Sequence, residues 1–568
     1  MADVLRPDLE RVSAEHSPRP RMRRQFNRLR VLLDQELTAA NGLDRALEAH
    51  PDSVVLHLTN PTPYRDLPED GKVTLRLLIP WLNRIGNALL EAGLGRGERV
   101  GIYHTNGPEY FFLGMAIVRA GGVAVPINPG MPLEPLRRHL EAAGCVMLFT
   151  DADKLETIGS AAELPFIRRW LFPDQPRGFD GVALGLNEAL RSMSCDFTPV
   201  SLTPSDPVLL VHTSGTTGRP KLVPSTSGRL ISGARRHYPD EPISRKHRTA
   251  IAGHFNHLIY YVGLYSSILG NLPAWTMADL RPEHVVDTIE RERITIFFAF
   301  PDVFVGIYRM GLSQRALASV RIWVTTADAS HDAHAEAFTK CGAYYRMGSR
   351  RLVPSVFVEA FGTSEVGSAA LRRIRLPWTH GRLDRSIGYR TLSGPKVRLV
   401  DAEGKKVRRG EVGRIEVRGR TVFDGYWDPE DVLAHEGPHD GWWWTGDLGK
   451  RSPLGQFKHL DRAVDVVQTK EGSLYSLPLE EVLLTHPAVA DAVVIGVPAA
   501  DGFDRPVALV AGMAGETLST ETIAEWVKHH PRLPGEALDV RVVPFETLPR
   551  GLTGKILRRS LRKDLAST

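Results

Sequence analysis

The hydrophobic positions of residues 74–150 change repeatedly between the helical and the strand period. Apolar side chains recur at spacings of three and four between Thr74 and Leu94, which predicts an amphipathic helix. Strands are expected at 100–103, 123–127 and 146–150, with helices between them at 108–119 and 133–143. Strands that alternate with helices are typical of parallel sheets joined by crossover connections. This part of the chain is therefore predicted to be α/β.

Two further changes of pattern occur later in the chain. From 388 to 447 the sequence consists of short strands and turns, which predicts a small β-barrel subdomain. A second, smaller α+β unit follows, with helices expected at 478–486 and 519–529 and strands at 489–496, 506–512 and 538–543. The second of these helices ends before Pro531, because proline cannot continue a helical hydrogen-bond pattern.

Length and composition narrow the class of protein. At 568 residues the chain exceeds what one hydrophobic core organises, so at least two domains are expected. Its 42% hydrophobic and 24% charged residues are those of an ordinary globular protein. Cys145, Cys195 and Cys341 have neither disulfide nor metal-site spacing, which agrees with a reducing cytoplasm. No apolar run has membrane-spanning length, and no secretion signal is recognised at the start of the sequence.

The basic charge is concentrated at the start of the chain. Residues 1–30 contain eight arginines against four acidic residues, whereas the whole chain has a net charge of only +5. Nucleic-acid binding is not expected, because no basic stripe with interleaved aromatic residues is present. The segment 19–37 has the spacing of a basic amphipathic helix, which would contact a membrane or a partner protein. We favour an N-terminal arm, residues 1–43, that packs on its own domain, since apolar helix faces usually belong to a core.

One loop carries the strongest chemical signal, the sequence LLVHTSGTTGRPKLVP at 209–224. A buried strand at 208–211 is predicted to lead into it. Gly215 and Gly218 permit backbone conformations that other residues avoid, so their N–H groups can approach a ligand closely. Hydroxyl groups and one positive charge complete the loop, from Thr213, Ser214, Thr216, Thr217 and Lys221. Amide dipoles, hydroxyls and a lysine together favour the binding of phosphate oxygens.

The Thr-Ser-Gly-Thr-Thr-Gly-x-Pro-Lys run resembles the phosphate loop of the adenylate-forming superfamily, which includes acyl-CoA synthetases, peptide-synthetase adenylation domains and luciferases. The segment 95–129 is similar to the first subdomain of the same superfamily. Further family elements follow in the family order up to residue 563. The resemblance implies a large adenylate-forming domain at 44–460, a hinge at 461–464 and a mobile C-terminal domain at 465–568.

The resemblance also assigns residues that would bind the nucleotide. The turn Phe361-Gly362-Thr363-Ser364-Glu365 is similar to a family turn whose aromatic ring stacks on adenine and whose glutamate holds Mg²⁺. Asp447 matches the carboxylate that accepts the ribose hydroxyls. Arg462 matches the arginine that reaches the nucleotide, and Lys555 matches the lysine that joins the substrate carboxylate to the α-phosphate. The expected catalytic residues are Thr213, Glu365, Arg462 and Lys555.

An acyl pocket is expected beside these residues. The resemblance places the family's aromatic-His element at 253–271. The residues that would line the pocket are Phe255, His257, Tyr261, Gly263, Thr326 and Gly362. His257 fits the family position better than His254, although either is also explained as a hydrogen-bonded core histidine. The aromatic residues at 255–264 and 297–308 point to a bulky apolar acid, or belong simply to the core.

Three segments depart from the family pattern. Thr325-Thr326-Ala327-Asp328 stands where the family has a serine followed by two glycines, which puts side chains beside adenine and substrate. Val464 replaces the family's charged or polar hinge residue. Gly472 is retained in the strand that admits the thiol, and Gly472 and Ser473 are expected to bind coenzyme A. Ser473, Leu474 and Tyr475 do not match the family pattern well.

The sequence therefore predicts an AMP-forming acyl-CoA ligase that uses a carboxylic acid, ATP, Mg²⁺ and coenzyme A. ATP converts the carboxylate into an acyl-adenylate, and the thiol of coenzyme A then displaces AMP. The protein's share of the first step is positioning and charge neutralisation. Two other interpretations stay open: an enzyme of one half-reaction only, and a nucleotide-binding scaffold without catalysis. The sequence names neither the acid nor the oligomeric state.

Overall fold

The computed structural model describes residues 31, 33–213, 221–237, 247–348, 350–376, 378, 385–391, 394–427, 437–551 and 554–566. Within these residues the chain forms two large β-sheets, a three-stranded sheet near the C-terminus and two small hairpins. The predicted α/β architecture, with a smaller C-terminal α+β domain, is confirmed. None of the helices in the described ranges has the length and apolar content needed to cross a membrane.

The first half of the chain contributes the following elements: α1 (Gly42–Ala49), β1 (Val54–Leu58), β2 (Lys72–Thr74), α2 (Leu75–Glu91), β3 (Arg99–Tyr103), α3 (Glu109–Arg119), β4 (Val123–Pro126), α4 (Leu133–Ala143), β5 (Cys145–Thr150), α5 (Ala152–Ile158), β6 (Arg169–Phe172), β7 (Ala183–Gly185), α6 (Leu186–Ala189), β8 (Pro207–His212), β9 (Leu222–Thr226), α7 (Ser227–His237), β10 (Thr249–Ala252), α8 (Leu258–Leu269) and β11 (Ala274–Met277).

The second half contributes α9 (Pro282–Glu292), β12 (Ile296–Ala299), α10 (Pro301–Arg309), β13 (Ile322–Thr326), α11 (Asp332–Thr339), β14 (Tyr345–Met347), β15 (Arg350–Val353), β16 (Val356–Phe361), β17 (Leu371–Arg375), β18 (Ser386–Arg390), β19 (Lys396–Val400), β20 (Val412–Arg418), β21 (Trp443–Arg451), β22 (Phe457–Arg462), β23 (Val467–Thr469), β24 (Gly472–Leu474), α12 (Ser476–Leu483), β25 (Val489–Pro498), β26 (Asp504–Gly512), α13 (Thr520–His529), β27 (Asp539–Val542) and α14 (Arg558–Ala566).

The first large sheet has seven strands in the order β7-β6-β5-β3-β4-β8-β9. Its neighbouring strands are parallel except for β8 and β9, which form an antiparallel pair. Helices α3 and α4 make the crossovers between parallel strands that the sequence predicts. The C-terminal ends of β4 and β8 therefore meet at one edge, from which the phosphate-loop segment begins.

The second large sheet has thirteen strands in the order β19-β20-β21-β22-β18-β17-β16-β13-β12-β10-β11-β1-β2. Strands β1, β11, β10, β12, β13 and β16 are parallel to their neighbours in this run. From β16 to β19 the pairs are antiparallel. The predicted β-barrel subdomain corresponds to β18–β22. Its described pairings continue the large sheet instead of closing on themselves, because β18 also pairs with β17.

The two large sheets share one hydrophobic core. Helix α3 is buried along its whole length, and Trp81, Phe112 and Tyr261 are at most 1% exposed. The described part of the N-terminal arm joins this core through Val31 and Leu37. The three-stranded sheet, ordered β25-β26-β27, has a separate apolar cluster on each face, one with α13 and one with α14.

Candidate active site

The two ends of the predicted phosphate loop are joined to each other. The Thr213 N–H donates to the Lys221 carbonyl over 2.9 Å, and the Lys221 N–H donates to Thr213 Oγ1 over 3.1 Å. These bonds extend the antiparallel pairing of β8 and β9 by one residue. The predicted loop residues between them lie outside the described residues: Ser214, Gly215, Thr216, Thr217 and Gly218.

A tyrosine that the sequence analysis did not assign connects Lys221 to Glu365. Lys221 Nζ lies 4.7 Å from the centroid of the Tyr426 ring, and the Tyr426 hydroxyl donates to Glu365 Oε1 over 2.9 Å. Glu365 lines a large cavity formed by the described residues. Proteins hold Mg²⁺ in nucleotide sites with one or two carboxylates and the phosphate oxygens, so Glu365 fits the role of its ligand.

The turn that contains Glu365 is held by a buried arginine. The Arg229 guanidinium donates to the carbonyls of Thr421, Ser364 and Glu365 over 2.8, 2.9 and 3.0 Å. Gly362 has no room for a side chain, because a Cβ there would lie 2.5 Å from the Ser368 carbonyl oxygen. The predicted residues of this turn all line the cavity: Phe361, Gly362, Thr363, Ser364 and Glu365.

Asp447 and Arg462 face each other across β21 and β22. They are direct partners in the strand register, and Arg462 Nη1 lies 3.8 Å from Asp447 Oδ1. His459 Nε2 also contacts Asp447 Oδ1, at 3.1 Å. Burial alone would raise the pKa of Asp447, but the Arg462 charge and the His459 hydrogen bond lower it to about 2. The carboxylate is therefore ionised at neutral pH, as an acceptor for paired hydroxyls must be.

Lys555 reaches the same cavity from the C-terminal domain. It follows Gly554, whose φ of +74° lies in the left-handed region. A Cβ at position 554 would lie 2.1 Å from Asp302 Oδ2, so the backbone before Lys555 approaches that carboxylate closely. Only glycine permits both the φ angle and the close approach. The lysine loop is therefore seated against the start of α10.

His257 lies beside Lys555 on the cavity wall. Its ring centroid is 5.3 Å from that of Phe300 and 6.3 Å from that of His212. Burial lowers the pKa of His257 well below its usual range, and the charges of His212, His254 and Lys555 lower it further. At neutral pH the His257 ring is therefore uncharged.

The cavity encloses about 1100 Å³ and runs along one face of the second large sheet. Three rows of side chains, each two residues apart along the strands, form its wall. The first row is Thr249, Ile296, Ile322 and Val356, the second is Ile251, Phe298, Val324 and Val358, and the third is Thr326 and Ala360. At about 3.3 Å per residue, the first and third rows are about 13 Å apart.

The predicted acyl-pocket residues fall into two groups, those that line this cavity and those that do not. His257, Gly263, Thr326 and Gly362 line the cavity. Phe255 and Tyr261 do not match their predicted position: both are fully buried in the core, and the Tyr261 hydroxyl donates to the Tyr110 carbonyl over 2.5 Å. The reason is the face of the chain on which each residue lies, since α8 presents Ile259 and Gly263 to the cavity and packs Tyr261 against α3.

The atypical turn after β13 keeps a glycine-like backbone at an alanine. Ala327 has a φ of +80°, which L side chains rarely adopt. The preceding Thr326 donates its hydroxyl to the Ala360 carbonyl over 2.6 Å, which ties β13 to β16. Ala327 and Asp328 both line the cavity. The turn therefore carries a side chain at a backbone conformation that favours glycine.

The two residues predicted to bind coenzyme A lie on an exposed hairpin. Gly472 has a φ of +123° and Ser473 Oγ donates to Gln468 Oε1 over 2.9 Å, within the β23–β24 pair. Neither residue lines the cavity. Val464, in the predicted hinge, is 60% exposed, and its carbonyl accepts a hydrogen bond from Arg562 Nη1 over 3.2 Å.

The C-terminal domain is held in this position by buried polar contacts. His334 Nε2 lies 2.9 Å from the Ala490 carbonyl oxygen, a contact between α11 and β25. Within the domain, the Arg558 guanidinium at the start of α14 forms two short contacts with the Glu480 carboxylate, of 2.7 and 2.9 Å. Lys555 is thus fixed in the cavity by an ordered interface and not by its own loop alone.

Two large sheets with a nucleotide-type site between them, and a C-terminal domain that brings a lysine into that site, define an adenylate-forming enzyme. The chain belongs to the AMP-binding enzyme family, whose model matches residues 43–427. The model of the AMP-binding enzyme C-terminal domain matches residues 478–555. The resemblance to the adenylate-forming superfamily seen in the sequence is confirmed.

The known relatives include a diazotase and a CoA ligase. The chain is 27% identical over 567 residues to 3-aminoavenalumate diazotase of a Streptomyces species, which covers 95% of this chain and 98% of that protein. It is 26% identical over 512 residues to 3-hydroxybenzoate–CoA ligase of Aromatoleum sp. (strain CIB), which covers 87% of this chain and 92% of that protein. The fold is similar to that of the anthranilate CoA ligase AuaEII in complex with anthranoyl-AMP, with a TM-score of 0.80 and 23% identity over 94% of this chain and 99% of that one.

Proposed function

We propose that the chain is an AMP-forming ligase that activates an aryl carboxylic acid with ATP. The observation that carries this proposal is the convergence of Glu365, Asp447 and Lys555 on one cavity that continues as an apolar slot. Asp447 would bind the ribose hydroxyls, Glu365 would hold Mg²⁺, and Thr213 and Lys221 would anchor the loop around the phosphates. Arg462 would contact the nucleotide beside Asp447.

The first step replaces the poor leaving group of a carboxylate. A carboxylate oxygen attacks the α-phosphorus of ATP, a new P–O bond forms, and the bond to pyrophosphate breaks. Negative charge collects around the phosphorus during this step. Lys555 and Arg462 would stabilise that negative charge with their own positive charges. Because both side chains are already in position, this stabilisation would need no reorganisation. No proton has to move, which agrees with a cavity wall where His257 is uncharged.

For the second step, we propose transfer of the acyl group to coenzyme A, as the sequence predicts. The thiol sulfur attacks the carbonyl carbon, the bond to AMP breaks, and the thiol proton passes to solvent. The similarity to a named CoA ligase supports this candidate. The hairpin with Gly472 and Ser473 would have to enter the site, so the C-terminal domain would rotate about the 461–464 hinge between the two steps.

A second candidate is diazotisation, favoured by the relative whose similarity extends over 95% of the chain. An aryl amine becomes a diazonium ion by gaining a second nitrogen, which nitrite supplies. Nitrite, like a carboxylate, carries two oxygens and a poor leaving group. Its oxygen would attack the α-phosphorus, and the amine nitrogen would then attack the nitrite-derived nitrogen and release AMP. Both amine protons then move to the nitrosyl oxygen, which leaves as water to give the diazonium ion, and coenzyme A takes no part.

One experiment separates the two candidates. The wild-type enzyme is incubated with ATP, Mg²⁺ and a panel of aryl acids that includes aminobenzoates, with and without coenzyme A and with and without nitrite. Pyrophosphate and the organic products are measured. Acid-dependent pyrophosphate and a thioester support the first candidate. Pyrophosphate that requires nitrite, together with loss of the amine, supports the second. If no condition yields pyrophosphate, both candidate functions are overturned.

A further inference from the structure

The apolar slot of the cavity is deeper than a single aromatic ring requires. Its wall has three rows of side chains, and three of the four residues in the second row remain partly exposed although apolar groups surround them: Phe298, Val324 and Val358. Side chains of this type are usually covered in a core. Their exposure to the cavity marks a surface that a ligand covers.

The opposite side of the slot is open at one position on α8. A Cβ placed on Gly263 would have only one neighbour within 4 Å, Ile251 Cδ1 at 3.8 Å. Gly263 therefore leaves a gap in front of the second row. The residues that follow Gly263 in α8 carry larger side chains. A glycine inside a helix costs stability relative to alanine, so the gap is not a consequence of helix preference.

The first row lies at the inner end of the slot wall, the end opposite Thr326. Ile296 and Ile322 are 1% and 5% exposed, and they lie about 13 Å from the third row, where the cavity meets Lys555. Hydroxyl groups of Thr249, Ser266 and Ser267 line the same inner end. The slot wall is thus mainly apolar, with a reactive end at the third row and hydroxyls at the inner end.

We propose that the substrate of this enzyme is an elongated apolar acid, in which an aryl ring is joined to its reactive group through a linker of several carbons. The reactive end lies at Thr326 and Lys555, the body passes Gly263, and the ring with any polar substituent reaches the first row. A benzoate would leave the first row uncovered. This inference rests on the proposed activation of an aryl acid and adds the length of that acid.

The test uses benzoate, cinnamate and the cinnamate homologue with one further double bond. Binding of each acid is measured by titration calorimetry, and pyrophosphate release is measured separately. We expect affinity to increase about tenfold for each added two-carbon unit, from the apolar surface buried. Gly263→Ala, whose methyl group fits the gap, should preserve this increase. Gly263→Leu should abolish it, with a larger loss of affinity for the two longer acids than for benzoate.

Equal affinity of the three acids, or an equal loss for all of them in Gly263→Leu, would overturn the inference. Val358→Phe narrows the slot from the opposite wall and provides the same test if Gly263→Leu does not fold. Length-dependent binding without pyrophosphate release from any acid would overturn acid activation and leave the inference intact. Pyrophosphate release with benzoate alone would overturn the inference and leave acid activation intact.

Discussion

Glu481 and Arg385 form a buried ion pair between the C-terminal domain and the large domain, with Arg385 Nη1 2.9 Å from Glu481 Oε1. The two side chains are 0% and 2% exposed. The same carboxylate accepts hydrogen bonds from the Asp332 N–H at the start of α11, at 2.9 and 2.8 Å, and contacts His331 Nδ1 at 3.1 Å. The Glu481 carboxylate of the C-terminal domain is thus bound by the N-terminus of α11 and by two basic side chains of the large domain, Arg385 and His331.

Removal of this carboxylate should destabilise the protein strongly. We expect Glu481→Ala to lower the free energy of unfolding by about 3–5 kcal/mol, because Arg385 is left buried without its counter-charge. Urea denaturation measures the effect. The matched control is Glu525→Ala on the exposed face of α13, where Glu525 pairs with His529 and both side chains are about two-thirds exposed. Similar small losses in the two variants would contradict the role of Glu481.

The contact should also depend on pH through His331. Burial would lower the pKa of His331, but the Glu481 carboxylate outweighs it and raises that pKa above its ordinary 6.5. A raised folded pKa gives stability that is complete below the ordinary value and is lost as pH rises through the raised one. The urea midpoint of the wild type should therefore fall as the pH rises above 6.5 and through the raised pKa, and less steeply in His331→Gln. Parallel profiles for the two proteins would refute this linkage.

The sequence predicts the fold well because its signals are local. Helix and strand periods give α2, α3 and α4 almost to the residue, since each depends on neighbours along the chain. In the described residues β18–β22 continue the large sheet through β17, which the sequence did not predict, because this depends on which strand lies next to β18. Strand neighbours are set by long-range pairing, which hydrophobic periodicity does not encode.

The residues of the candidate site were likewise predicted only in part. Motif residues such as Asp447, Glu365 and Lys555 all reach the cavity, as their positions in the motifs imply. Arg229 and Tyr426 were not found, because their contacts with the Glu365 turn join residues far apart in sequence. Tyr261 was misplaced because α8 is apolar on all sides, which gives no signal for the face that lines a cavity. Phe255 precedes this helix and packs in the core.

Ala327 should be replaceable by glycine with a gain in stability. Its positive φ costs an L residue about 1–2 kcal/mol, and Ala327→Gly removes that cost. We expect a net gain of about 1 kcal/mol after the entropy loss of glycine. Ala329→Gly, two residues further along at a position without positive φ, should instead be destabilising. Thermal unfolding compares the two variants, and a loss in Ala327→Gly as large as that in Ala329→Gly would contradict the explanation.

Asp447 should contribute to nucleotide affinity. Asp447→Ala is expected to weaken ATP binding by about 1–3 kcal/mol, because the ribose hydroxyls lose a charged acceptor in a closed site. Titration calorimetry with ATP and Mg²⁺ measures this change. Asp440→Ala is the control, since Asp440 lies just before β21 and its side chain is 88% exposed. Unchanged ATP affinity in Asp447→Ala would remove the ribose assignment.

The most direct test of the account is acid-dependent pyrophosphate release by Lys555→Ala. The acid is the panel member that the wild-type enzyme activates best, and Lys470→Ala is the control, as an exposed lysine of the same domain paired with Asp501. We predict a loss of about a hundredfold or more in Lys555→Ala, because the α-phosphate loses the charge that the C-terminal domain supplies, and wild-type rates in Lys470→Ala. Wild-type pyrophosphate release by Lys555→Ala would contradict the assignment of this cavity as the site of adenylation.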